Sequence, residues 1–334
     1  MRELSSLQLM LTRRCQLRCV YCPIIKRDAD MSAKTLDRAV DFLFTSPARA
    51  LRLDFTGGEP FLRSDLVRRA VLRAEKLSAK TGKKISFYAV TNALALKKEM
   101  ISFLKTRDIL LELSLDGGRR RHNRFKRPAD PGLDPYAGTT AAIKPVREAG
   151  VKYFAVMVAA PESVRSFGSD FEHLYGLGIR NFDINYALGR LWGRAALMGL
   201  KRAFTRICVS HAGELRSGGL RLGNFGKRSE PALLNSEVMV DVDGSLHSMS
   251  EWMFESSRSG GVPPFRLGTV YGAGGLGGIV MNKATAYYTL LTVCGGDARV
   301  KSIIRNNIET GISFSAFVEG LKVRLFSGAY GGGE

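Results

Sequence analysis

Short apolar runs alternate with amphipathic stretches along the first two thirds of the chain. The runs at 7–11 (LQLML), 50–56 (ALRLDFT), 85–91 (ISFYAVT), 110–116 (LLELSLD), 152–160 (KYFAVMVAA) and 180–188 (RNFDINYAL) have the length and composition of strands. Between them, apolar residues recur at helical spacing over 32–44, 64–80, 97–106, 139–150, 170–178 and 194–217. Ser32 and Ser64 stand where N-caps belong for the first two of these. Strands alternating with helices of roughly 10–20 residues form βα units around a parallel sheet. Six such units with near-continuous apolar strands predict an α/β fold: a partial (β/α)6 TIM-like barrel buried on both faces.

The texture changes after residue 217. Residues 216–236 are loop-like, 236–252 form a hairpin turning at Asp243-Gly244, and helical patterns return at 284–291 and 312–326. The tail 328–334 (GAYGGGE) is predicted to be flexible. Two parts follow: a barrel over 1–217, and a small C-terminal α+β extension over 218–334.

In a parallel barrel, chemistry sits at the C-terminal ends of the strands. The chain's suspicious segments fall there. TRRCQLRCVYCP follows the first strand and TGGEP the second, VTNA closes the third and SLDGG the fourth. Cys15, Cys19 and Cys22 have the spacing C-x3-C-x2-C. Three thiolates hold three irons of a cubane and leave the fourth open, whereas a closed structural site wants four ligands. Zinc is the alternative, but Cys208 and Cys294 stand alone and His122, His173, His211 and His247 form no pair. A disulfide framework does not suit a long chain with few cysteines and no secretory signal pattern. Thiolate ligation, with no apolar stretch of roughly 18 residues, points to a cytoplasmic protein.

The net charge of +19 is concentrated in places. Arg119, Arg120, Arg121, Arg124, Lys126 and Arg127 crowd one stretch; Arg68, Arg69, Arg73, Lys76, Lys80, Lys83 and Lys84 stud another. Such a surface attracts polyanions, either nucleic acid or acidic peptide, although the second set also suits the solvated face of a helix. Arg13, Arg14 and Arg18 surround the cysteines and are expected to favour thiolates.

The cysteine loop, the run Thr56-Gly57-Gly58-Glu59-Pro60, and Asn92 with Ser114 and Asp116 together resemble the radical S-adenosylmethionine (SAM) superfamily over roughly residues 5–190. The resemblance implies one [4Fe-4S] cluster on the three cysteines, its open iron chelating SAM. It implies reductive cleavage to a 5′-deoxyadenosyl radical that abstracts hydrogen from a substrate, with a reductant such as flavodoxin or ferredoxin. It also implies that Tyr21 packs on the adenine and that Gly57, Gly58 and Pro60 let backbone approach the methionyl part. Glu59 would bind the ammonium group, and Asn92, Ser114 and Asp116 the ribose and carboxylate. Asp116-Gly117 followed by His122-Asn123-Arg124 and Arg127 is similar to a segment of the SPASM/twitch subgroup, which includes sulfatase- and ribosomal-peptide-maturating enzymes; Arg124 or Arg127 would there pair with the SAM carboxylate.

Residues 236–272 resemble the SPASM segment but carry Met249 where that subgroup has a cysteine. Two remaining thiols cannot ligate a second cubane, so a remnant without auxiliary clusters is expected. Asp183, Asn185 and Tyr186 on the sixth strand are candidates to face substrate, and Cys208 to donate a hydrogen atom; the alternative for Cys208 is a buried structural thiol. Three functions follow: modification of a peptide or protein side chain, modification of RNA or a nucleotide, or a non-catalytic iron–sulfur module. The complete set of SAM-binding elements argues against the third. No RNA-binding domain is evident in these residues, so the first is expected over the second.

Overall fold

The computed structural model describes residues 4–226, 232–255, 265–272, 274–279, 281–294 and 296–327. The predicted flexible tail at 328–334 lies outside them. In chain order the elements are β1 (Ser6–Met10), β2 (Leu17–Cys19), α1 (Ala33–Phe44), β3 (Ala50–Thr56), α2 (Ser64–Thr81), β4 (Lys84–Thr91), α3 (Lys98–Thr106), β5 (Leu110–Ser114), α4 (Arg119–Phe125), β6 (Lys126–Pro128), α5 (Pro135–Ala141), α6 (Ile143–Glu148), β7 (Tyr153–Ala159), α7 (Phe167–Gly176), β8 (Asn181–Tyr186), α8 (Arg194–Ser210) and α9 (Ala212–Ser217). The remainder holds β9 (Arg221–Leu222), β10 (Val238–Val240), β11 (Ser245–Ser248), α10 (Met249–Trp252), β12 (Gly268–Thr269), α11 (Lys283–Val293) and α12 (Ala298–Phe326).

All the predicted strands of the first two thirds are present, and β1, β3, β4, β5, β7 and β8 lie side by side in chain order, each parallel to the next. This is the partial (β/α)6 barrel. The sheet continues past β1 into the extension: β10 pairs parallel with β1, and the hairpin β10–β11 then adds β12 antiparallel. Its turn is the predicted one, with Gly244 at φ +85°.

Ser32 caps α1, its side chain accepting from the Thr35 N–H. Ser64 does not cap α2. A 3-10 turn over Pro60–Arg63 runs directly into the helix, so Ser64 is its first residue and its hydroxyl donates to Phe61 O instead (2.8 Å). The segments 139–150 and 194–217, each expected as one helix, are each two: α5 and α6, then α8 and α9.

The helices bury one apolar core against the outer face of the barrel, with Phe55, Phe167, Phe171, Phe182 and Phe204 at its centre. The lumen face differs from expectation. β4 alternates, turning Phe87 and Ala89 into the core and leaving Ser86, Tyr88 and Val90 on the lumen. On the same inner surface lie Gln8, Arg52, Asp54, Glu112 and Asp183. A (β/α)8 barrel fills its interior with apolar layers; here the lumen is polar and hollow. Among the described residues no helix is long and apolar enough to cross a membrane.

Candidate functional site

A cavity of about 1250 Å³ runs from the C-terminal ends of the barrel strands down the lumen. It exceeds the roughly 300–1,000 Å³ of an ordinary small-molecule pocket. Cys15, Cys19 and Cys22 line its mouth.

The cysteine loop is fixed from several sides. Thr12 Oγ1 donates to Asp30 (2.5 Å) and accepts from the Arg14 N–H (3.1 Å), and Cys22 N donates to Cys19 O (3.1 Å). The strand carrying Cys19 pairs antiparallel with β6, setting Cys19 opposite Lys126 and Arg18 opposite Arg127. Burial pushes the Cys15 thiol up and that of Cys19 to about 12, against the pull of Lys26 and Lys126. Buried thiols of this kind need cationic charge to stay ionised, which suits a metal centre. Among the described residues no three Cys, His, Asp or Glu side chains are grouped to hold one metal ion.

The cation in contact with a sulfur is a lysine, not one of the three arginines expected from sequence; of those, exposed Arg18 donates to the Cys15 and Leu17 carbonyls. Arg13 is buried and held by Asp241 and Glu255, and Arg14 by Asp30, so both are already neutralised. Lys26 Nζ lies 3.1 Å from Cys22 Sγ. Lys126, nearly fully buried, sits 3.8 Å from Asp116 and over the Tyr21 ring. In the sequence Lys126 is one member of a basic run; only the β2–β6 pairing sets it opposite Cys19.

Gly57 and Gly58 line the cavity and also let two backbone segments pack closely. A Cβ on Gly58 would fall 1.8 Å from Arg14 O, and one on Gly57, whose φ is +145°, 2.5 Å from Thr12 O. The approach is locked by hydrogen bonds from Gly58 N to Thr12 O (2.7 Å) and Glu59 N to Arg14 O (2.9 Å). Glu59 is buried, yet lines the cavity. Its carboxylate accepts from Thr91 Oγ1 (2.6 Å), Asn92 N (2.8 Å) and Phe61 N (3.2 Å). Burial nevertheless lifts its pKa to about 7. Asn92 turns its amide toward Cys15 Sγ (3.6 Å). A buried carboxylate facing a cavity beside three thiols fits a cluster with an ammonium-bearing ligand.

Tyr21, Asn92 and Ser114 also line the cavity, as do Asp183, Asn185 and Tyr186; Pro60, Asp116, Arg124, Arg127 and Cys208 do not. Asp116 is wholly buried, accepting from Tyr21 Oη and from Val158 N (3.0 Å). Arg127 and Arg124 are exposed. Cys208 lies in the core on α8 with its thiol pushed up to about 12 by burial. Tyr186 Oη donates to Asn307 O (3.0 Å), which ties β8 to α12. Deeper in the lumen Arg52 makes a two-point pair with Asp54 (2.7 Å at each nitrogen) and reaches Glu237 (2.5 Å), and Tyr88 donates to Glu112. Met249 lines the same cavity from the extension.

The profile of the radical SAM superfamily matches residues 9–174. An uncharacterized protein of Methanocaldococcus jannaschii is 24% identical over 183 residues, 54% of this chain and 62% of that protein. A cysteine-type anaerobic sulfatase-maturating enzyme of Clostridium novyi is 27% identical over 140 residues, 39% of this chain and 37% of the enzyme. The chain thus matches less than two thirds of either relative's length. Among solved structures, native anSMEcpe with bound AdoMet is similar in fold: TM-score 0.66 and 18% identity, covering 79% of this chain and 77% of that one. The same protein with AdoMet and the Cp18Cys peptide gives a TM-score of 0.65 at 17% identity.

Proposed function

Because residues 9–174 place this chain in the radical SAM superfamily, as an enzyme related to peptide and sulfatase maturases, we propose that it modifies a peptide or protein side chain. The observation that carries this reading is the convergence of Cys15, Cys19, Cys22, Glu59 and Asn92 on one cavity too large for a cofactor alone. The three cysteines would hold a single [4Fe-4S] cluster. When bound, the cluster and SAM supply a 5′-deoxyadenosyl radical that takes a hydrogen atom from substrate.

The chain's own groups prepare that event. Glu59 receives the ammonium group of SAM on the carboxylate that Thr91 and Asn92 hold in place. Asn92 and Ser114 face the cavity where ribose hydroxyls need partners. Tyr21, fixed by Asp116 and by Phe125 at 6.3 Å, presents a ring beside the cluster loop. Lys26 and Lys126 favour the ionised sulfurs. Asp183 and Tyr186 line the part of the cavity left for substrate.

A peptide substrate is supported by the Cp18Cys peptide bound to anSMEcpe and by the maturase relative. The basic runs lend less support to RNA than their sequence suggests. On α2, Arg69 and Arg73 pair with Asp37 and Asp41 of α1, and Arg119 pairs with Asp134. The test is anaerobic reconstitution with iron and sulfide, then dithionite and SAM. The expected result is 5′-deoxyadenosine above a Cys15→Ala control; none from a fully loaded protein refutes the enzymatic reading. Deuterium transfer from labelled candidate peptides into 5′-deoxyadenosine would identify the substrate.

A further inference from the structure

The β2–β6 ribbon has two unlike faces. Its inner face carries Cys19 and Lys126, which line the cavity. Its outer face carries Arg18 and Arg127, directly opposite each other and both exposed. Like charges facing across a strand pair destabilise it, and neither guanidinium has an acidic partner among the described residues. Arg18 donates only to backbone, to Cys15 O (2.9 Å) and Leu17 O (3.0 Å). Next in the chain, α4 adds Arg120 and Arg124, both exposed and one turn apart. Half-exposed Ile25 and Val20, at 52% and 36%, supply apolar surface on the same loop.

We propose that this outer face is the docking surface for a small acidic electron-carrier protein. The ribbon, with Cys19 and Lys126 on its inner side, lies between this face and the cavity. An electron donor needs no entry: Cys19 belongs to the strand it would touch. One electron crosses, oxidising the carrier and reducing the cluster, with no atom or proton transferred. That electron is consumed when the C5′–S bond of SAM breaks. Exposed basic side chains beside a little exposed apolar surface suit a transient partner guided by charge.

The inference rests on the enzymatic reading, which dithionite-driven SAM cleavage tests separately. Arg127→Glu is the informative variant, because it converts the opposed arginines into an attractive cross-strand pair. Using the cluster-loaded protein and a flavodoxin as probe, iron content and thermal midpoint should hold or rise. The Kd for flavodoxin should weaken at least tenfold at low salt, with a shallower salt dependence. An unchanged Kd would overturn the proposal. So would loss of SAM binding in the variant with flavodoxin binding intact, since that places Arg127 on the cofactor.

Discussion

Arg13 and Asp241, 228 residues apart, meet in a buried two-point ion pair, Nε to Oδ1 at 3.0 Å and Nη2 to Oδ2 at 2.6 Å. Arg13 opens the cysteine loop and Asp241 begins the turn of the C-terminal hairpin. The hairpin therefore braces the loop that presents the sulfurs.

Removing Arg13 strips Asp241 of its buried two-point partner, leaving only Arg27 at 3.7 Å, and takes from Glu255 its ion-pair partner, at about 3–5 kcal/mol. Arg13→Ala should lower the urea midpoint of unfolding far more than Arg14→Ala, whose side chain is 42% exposed. Equal shifts would mean that the pair does not brace the loop.

Gly58→Ala places a methyl group 1.8 Å from a backbone oxygen. The two loops must then separate, and iron retained after reconstitution should fall sharply. Gly213→Ala on α9, where an added methyl meets nothing within 4 Å, should be neutral or stabilise by up to about 1 kcal/mol. Iron analysis and the visible cluster absorbance report both.

Glu59 makes stability depend on pH in the ligand-free protein. Its pKa is about 7 folded against an ordinary 4.5, so between these values the folded state keeps a proton that the unfolded state has lost. Its contribution is complete below about 4.5 and is lost as pH rises toward about 7, at up to about 1.4 kcal/mol per pH unit. Glu59→Gln should flatten this slope in unfolding titrations; an identical slope would assign it to other groups.

Cys208 lies in the core behind the barrel, and Cys294 ends α11 in a separate apolar cluster with Leu290 and Ile304. Replacing both with Ser should leave iron at one cluster per chain, while Cys19→Ser should abolish it. A drop in iron after the double replacement would reveal a second centre.

The strands were legible because burial on the helix side imposes apolar residues every second position or more, as in ALRLDFT, which coincides with β3. The same run hid the character of the lumen. A strand expected to be buried on both faces leaves no place for Arg52 and Asp54, which are the inward set of an alternating one. The cysteine spacing located the site mouth because it is local in sequence. The partners of those cysteines were not legible, since Lys126 reaches Cys19 only through a pairing of three-residue strands. The glycines were legible as positions needing no side chain. What crowds them is the backbone of residues 12–14, a contact that no spacing rule conveys.

The pairing of β10 with β1 bears on where this chain can be cut. β1 lies between β3 and β10, and its residues Leu7, Gln8 and Leu9 align with Val238, Met239 and Val240. A protein ending at the expected boundary near residue 217 would leave that flank of β1 an open edge, a template for pairing with another molecule. The extension thus shields the flank of β1 by carrying the barrel wall onward, and a truncated chain should aggregate through the strand that leads into its cysteine loop.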